Sequence, residues 1–127
     1  MIEAMQTAIA GLRVNTVRLH VAADSIANMR SSGGRQPYDG FVPKVVTQTT
    51  DVTGAPRAKA QPAPIPSFPA YAPHDPAAGT DGMVGMPNVS LPGEFVELSV
   101  ARRSYEANLA VLRTADEMMR VLVDRQA

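Results

Sequence analysis

The chain has 127 residues, enough for one domain, and its 12 basic and 12 acidic residues cancel. No cationic excess exists to neutralise phosphates, so nucleic-acid binding is not expected. There is no Cys, which excludes disulfides, thiol catalysis and zinc–thiolate sites.

The first element is predicted to be a helix from about Ile2 to about Arg30. Ile2, Met5, Ile9, Leu12, Thr16, Leu19, Ala23 and Ile26 recur at alternating spacings of three and four, a heptad-like stripe on one face. Thr16 is its only polar member. Gly33 and Gly34 follow, as expected just past a helix end. Asn28, near that end, is read as a cap for backbone groups. Glu3, Arg13 and Arg18 break the pattern of a Sec signal peptide. No stretch approaches the roughly 20 apolar residues of a membrane span. A soluble chain, or one leaving the cell without a cleaved signal, is the expectation.

The middle holds every proline, 11 between Pro37 and Pro92. Phe41–Thr50, rich in Val and Thr, reads as a strand that Pro43 places at an edge or at the strand's start. Seven prolines between Pro56 and Pro76 predict an extended, polyproline-like or disordered stretch. Gly79–Gly85 reads as a turn and Met83–Val89 as a short second strand.

The last element is predicted to be a helix from about Glu94 to about Arg125. Leu98, Ala101, Tyr105, Asn108, Leu112, Ala115, Met119 and Leu122 repeat the stripe. Ser90 and Pro92 supply start signals, and Glu94 and Glu97 favour the positive end of the helix dipole. Asp116 and Arg120 are spaced for an ion pair. Asn108 occupies a stripe position where a polar residue fixes register at some cost in stability. Each stripe needs a partner, and the simplest is the helix at the other end of the chain. Aromatic residues are only 5% of the chain, which suits thin helix seams better than a thick core. Further helices from neighbouring subunits are expected to complete that core.

The fold class expected is therefore mainly α, with the terminal helices paired as a coiled-coil-like hairpin around a Pro/Gly-rich middle holding short strands. Residues 1–32, 33–90 and 91–127 are the three units of this reading. Nothing in the sequence assembles chemistry. His20 and His74 are isolated and read as surface or interfacial, Glu94 and Glu97 read as helix-start residues, and Ser31–Gly34 lacks the Lys and spacing of a phosphate loop. No enzyme, cofactor or metal is expected.

Met86-Pro87-Asn88-Val89, followed by Ala101-Arg102-Arg103-Ser104-Tyr105-Glu106-Ala107-Asn108, resembles the C-terminal signature of flagellar rod, hook and hook-associated axial proteins. Within them it is most similar to the proximal-rod FlgC family, which reads M-P-N-V and then A-x-R-S-Y-x-A-N. Arg18-Leu19, with Ala22 to Asn28, resembles that family's N-terminal rod signature. Asp24-Ser25 stands in place of the usual Ser-Asn pair, and His20 where Asn is common. Gln36-Pro37-Tyr38, Tyr71-Ala72-Pro73-His74-Asp75-Pro76 and Gly82-Met83-Val84 resemble the family's middle elements.

The resemblance implies a non-enzymatic subunit of the proximal rod, in the periplasmic part of the basal body, exported unfolded by the flagellar type III apparatus without a cleaved signal. It implies helical assembly that transmits torque and lines the export channel. The implied partners are copies of the chain, other proximal-rod proteins, the adaptor between membrane ring and rod, distal-rod proteins and the export apparatus. The assembly surface expected comprises Ile2, Met5, Ile9, Leu12, Leu19, Ile26 and Asn28, with Leu98, Ala101, Tyr105, Asn108, Leu112, Met119 and Leu122. A cytoplasmic helical adaptor or export chaperone is the alternative.

Overall fold

The computed structural model describes residues 2–125. Two long helices, α1 (Ile2–Asn28) and α2 (Leu91–Asp124), flank four strands: β1 (Lys44–Thr50), β2 (Pro56–Pro62), β3 (Ser67–Tyr71) and β4 (Met83–Pro87). The fold is thus mainly helical with short antiparallel strands in the middle, as the sequence predicts.

The helix ends follow local chemistry. At the end of α1, Asn28 Nδ2 donates to the Asp24 carbonyl at 2.9 Å, and its own carbonyl accepts from Ser31 N at 2.9 Å. The helix stops there, and Met29 and Arg30 form a turn. Ser90 caps α2 in an extended conformation, its hydroxyl accepting from Gly93 N at 3.4 Å. Pro92 lies inside the first turn, where its missing N–H has no partner to lose, so α2 starts at Leu91 rather than near Glu94. Asp116 and Arg120 pair at 3.2 Å, as their spacing requires.

β1 and β2 form an antiparallel hairpin in which Lys44 faces Pro62 and Thr50 faces Pro56. β3 and β4 form a second, with Ser67 opposite Pro87 and Tyr71 opposite Met83. The stretch from Pro56 to Pro76, expected to be polyproline-like or disordered, therefore contains two strands. Hydrogen-bond parity explains why its prolines are tolerated. Ala63 N donates to Pro43 O at 2.8 Å and Asp51 N to Ala55 O at 2.9 Å. Hydrogen-bonded pairs alternate along an antiparallel ladder, so Pro56 and Pro62 fall at the non-bonded positions between. In the second hairpin, Gly85 exchanges both of its backbone bonds with Gly33, at 2.8 and 2.9 Å, on the side away from β3. Pro69, opposite Gly85, is again at a non-bonded position and loses nothing.

The second hairpin anchors the chain where α1 ends and α2 begins. Val84 is fully buried, and the Tyr38 ring lies across Gly85 and Gly40, with its hydroxyl donating to Phe41 O at 2.6 Å. Ser32 donates to Asp75 at 2.6 Å, which together with Ala77 N holds that carboxyl below its ordinary range. Asn88 of the M-P-N-V motif ties β3 to the start of α2. Its N–H donates to Pro66 O at 2.9 Å and its Nδ2 to Ile65 O at 3.2 Å.

Candidate assembly interface

α1 and α2 lie antiparallel along most of the length of α1. Gly11 meets Asn108, and a turn or two further along α1, Arg18 meets Glu97, nearer the start of α2. The surface of α1 that closes on α2 is made of small and polar residues. Ala8, Gly11, Asn15, Ala22 and Ser25 are all buried there. They keep the spacing of three and four, but each stands one position ahead of a stripe residue, about 100° round the helix at 3.6 residues per turn.

The expectation that the α1 stripe itself packs on α2 is thus corrected. Ile2 is 70% exposed and Ile9 40%, and Thr16 and Ala23 are also exposed. Met5, Leu12, Leu19 and Ile26 are half-buried at the edge of the seam. The reason is steric. Small residues let two backbones approach closely, and Gly11 has no Cβ to obstruct the Asn108 amide.

On α2 the expected line is the one that faces α1. Ala101 and Ala115 are buried, and Leu98, Tyr105, Asn108 and Leu112 are half-buried. Asn108 Nδ2 donates to Ser104 O at 2.9 Å, as Asn15 Nδ2 on α1 donates to Gly11 O at 2.9 Å. Arg18 Nε bonds Glu97 Oε1 at 2.5 Å and cross-links the two helices. Glu97 therefore pairs across the seam in addition to lying near the helix start. Sequence reasoning missed Gly11, Asn15 and the Arg18–Glu97 pair. A search for spaced small residues, rather than spaced large ones, finds the first line.

The first hairpin covers one side of this helix pair. Ala10, Arg13, Val14 and Val17 of α1 face Pro56, Arg57 and Ala58. The opposite side is open. A groove of about 570 Å³ runs there between Thr16, Leu19, His20, Ala23 and Asp24 of α1 and Leu98 and Tyr105 of α2. Met119 and Leu122 continue the α2 line but are exposed. His20 stands at the groove and His74 in the turn between β3 and β4. Among the described residues, no three His, Asp or Glu side chains gather as a metal set, and no helix is long and apolar enough to cross a membrane.

Two long terminal helices, an α1 stripe exposed in part and a strand-bearing middle are what the comparisons have to match. The family described as "Flagellar basal body rod FlgEFG protein C-terminal" matches residues 80–125, from the turn before β4 to the end of α2. This places the chain among structural subunits of the bacterial flagellar basal-body rod. The chain is 36% identical over 120 residues to the flagellar basal-body rod protein FlgC of Agrobacterium fabrum, covering 90% of this chain and 86% of that protein. The FlgC protein of Salmonella typhimurium is 37% identical over 115 residues, covering 85% and 84% respectively. That of Aquifex aeolicus is 28% identical over 119 residues, covering 91% and 89%. The chain belongs to the FlgC family of flagellar basal-body rod proteins. That membership decides against the cytoplasmic adaptor reading.

Proposed function

We propose that the chain acts in the proximal, periplasmic part of the rod, transmitting torque through a helical array that also lines the export channel. Its neighbours on this reading are copies of itself, other proximal-rod proteins, the membrane-ring adaptor and distal-rod proteins. The flagellar export apparatus delivers it without a cleaved signal. Residues 1–32 and 91–127 supply the assembly surface, and residues 33–90 lie outside it. The work is mechanical and needs no catalytic group.

One observation carries this reading. The helix pair closes on Ala8, Gly11, Ala22 and Ser25 of α1, leaving the larger Ile2 and Ile9 of the α1 stripe exposed. Exposed aliphatic side chains on one helical stripe are the material of a further interface. Leu112 is half-buried against α1, so a charge there unsettles the pair itself. Ile9 is the cleaner probe. Ile9→Asp is expected to abolish swimming and rod assembly while the purified chain keeps its circular dichroism and the cell still exports it. Normal swimming by that variant overturns the proposal.

A further inference from the structure

An unpaired sheet edge presents a row of backbone donors and acceptors to any strand that can reach it. Among the described strands, the edges of the two hairpins are closed at every place but one. The outer edge of β2 carries Pro56 and Pro62, which have no N–H, and α1 packs against it. That of β3 carries Pro69 at its centre, and that of β4 is bonded to Gly33. β1 is the exception. Its parity turns the N–H and C=O of Lys44, Val46, Gln48 and Thr50 away from β2, and among the described residues these groups bond no other backbone group. No proline interrupts β1, and its Val and Thr residues suit a strand.

The space beside this edge is shaped for a strand. Two hollows, of about 250 and 270 Å³, lie between β1 and α2 over a floor made by α1, and Arg18 lines both. The first sets Lys44 and Val46 against Glu94 and Glu97, the second Gln48 against Ser104 and Asn108. β1 therefore runs alongside α2 in the same direction. The seven residues of β1 measure roughly 24 Å, and α2 from Gly93 to Asn108 measures roughly 22 Å. Val100, between Glu97 and Ser104 on this flank, is 45% exposed. The charges in the first hollow are uneven. Arg18 is committed to Glu97, whereas Glu94 has no ion-pair partner among the described residues, and burial raises its carboxyl. Lys44 lines the hollow without pairing to it.

We propose that β1 accepts an added antiparallel strand from an extended segment of a partner protein, with a Lys or Arg of that segment seated against Glu94 and a small residue two positions before it lying over Ser104. Bonded residues across a ladder share a face, so the added side chains opposite Val46 and Gln48 point into the two hollows. The backbone ladder supplies affinity and the hollows supply selectivity. A second copy of the chain does not fit. Its one open edge among the described strands is again β1, and two β1 edges paired about a two-fold set both helix pairs on the same face of the joined sheet. Each α2 stands along its own β1 edge, so the two would occupy the same space. The inference concerns the middle of the chain and stands apart from the rod reading.

The test titrates the isotope-labelled full chain with the end-capped peptide Thr-Thr-Ala-Val-Lys-Val-Thr, written to lie antiparallel along Thr50 to Lys44, and follows amide exchange by NMR. Exchange is expected to slow at Lys44, Val46, Gln48 and Thr50 and to stay as it was at Val45, Thr47 and Thr49, which already bond β2. Strand addition gives this alternation, and a side-chain contact does not. Methylating the backbone nitrogen of the peptide's lysine removes an N–H aimed at β1 and is expected to weaken binding about tenfold or more. Methylating that of the valine before it, whose N–H points outward, is expected to leave binding within about twofold. Glu94→Gln is expected to weaken the lysine peptide about fivefold and to leave its norleucine counterpart unchanged. No alternating protection at millimolar peptide, or equal sensitivity to the two methylations, overturns the added strand. Equal binding of the lysine and norleucine peptides overturns the pairing with Glu94. Protection of the same amides that grows with chain concentration in the absence of peptide makes the occupant a second copy and overturns the proposal. Each of these outcomes leaves the rod reading standing.

Discussion

Gly11 of α1 lies directly against the Asn108 amide of α2. A Cβ at residue 11 would stand 2.7 Å from Asn108 Nδ2 and 2.9 Å from its Cγ. The closeness of the helix pair depends on that missing carbon. Gly11→Val gains a few tenths of a kcal/mol of helix propensity. It also forces the amide aside, and overpacking of this kind costs about 1–3 kcal/mol. The net expectation is a loss of about 1–2 kcal/mol, read from urea unfolding. Asn108→Ala in the same chain removes the obstruction, so the double variant is expected to recover about half of that loss. Strict additivity of the two changes counts against the contact.

How much of this was legible follows from which residues carried it. Both helices could be read because prolines avoid their interiors, Pro92 standing only in the first turn of α2, and because their apolar residues recur at the helical period. Pairing of the two helices followed from the stripes needing partners. The face of α1 that pairs could not be read from apolar residues, because Ala8, Gly11, Asn15, Ala22 and Ser25 are small or polar. The rule that large apolar residues face inward was overridden by the gain from close backbone approach. Strands β2 and β3 were hidden by Pro56, Pro62 and Pro69. Only the ladder's parity, which depends on the pairing partner, shows that these prolines fall where no N–H is needed.

Asp51 closes the first hairpin. Its carboxylate accepts from Thr53 N at 2.9 Å, Thr53 Oγ1 at 2.5 Å, Ala55 N at 3.1 Å and Arg57 Nε at 3.1 Å. The Thr53 bonds are the main cause that lowers it from 3.8 to about 2. A carboxyl lowered on folding stabilises the turn fully above 3.8, and this is lost as pH falls through about 2. The amide signals of Thr53 and Ala55 are therefore expected to titrate with a midpoint of about 2. Asp51→Asn should abolish that titration. A midpoint near 3.8 would mean the turn bonds are not formed in solution.

Glu94 behaves in the opposite sense. Burial, and then the negative charge of Glu97, raise its carboxyl above 4.5. Arg18 and Lys44 line the same hollow but do not reverse the shift. A carboxyl raised on folding binds its proton more tightly in the folded chain. Its stabilisation is present below 4.5 and lost as pH rises through the raised value. Glu94→Gln is expected to flatten the pH dependence in that window and to be at least as stable as the parent at neutral pH. The helix N-terminus favours a charge here, so the two effects compete. Urea midpoints across the pH range decide between them, and a Gln variant weaker at neutral pH would show that the dipole wins.

Ser25 presents the plainest local cost in the seam. It is 1% exposed, and among the described residues its Oγ has no hydrogen-bond partner. It stands where the resembled family usually carries Asn, whose longer amide reaches further than a hydroxyl. Burying a hydroxyl unpaired costs about 1–3 kcal/mol in mutational series, and Ala also exceeds Ser in helix propensity by roughly 0.5 kcal/mol. Against this, Ser25→Ala removes only one small atom, so the cavity it leaves is slight. Ser25→Ala is therefore expected to stabilise the isolated chain by about 1 kcal/mol, raising its thermal midpoint by several degrees. A neutral or negative change would mean that the hydroxyl finds a partner in solution. Ser25→Asn is the companion. If the longer amide finds a partner across the seam it matches or exceeds Ala; if Gly11 and Ala22 have closed the helices too far, it falls below the parent.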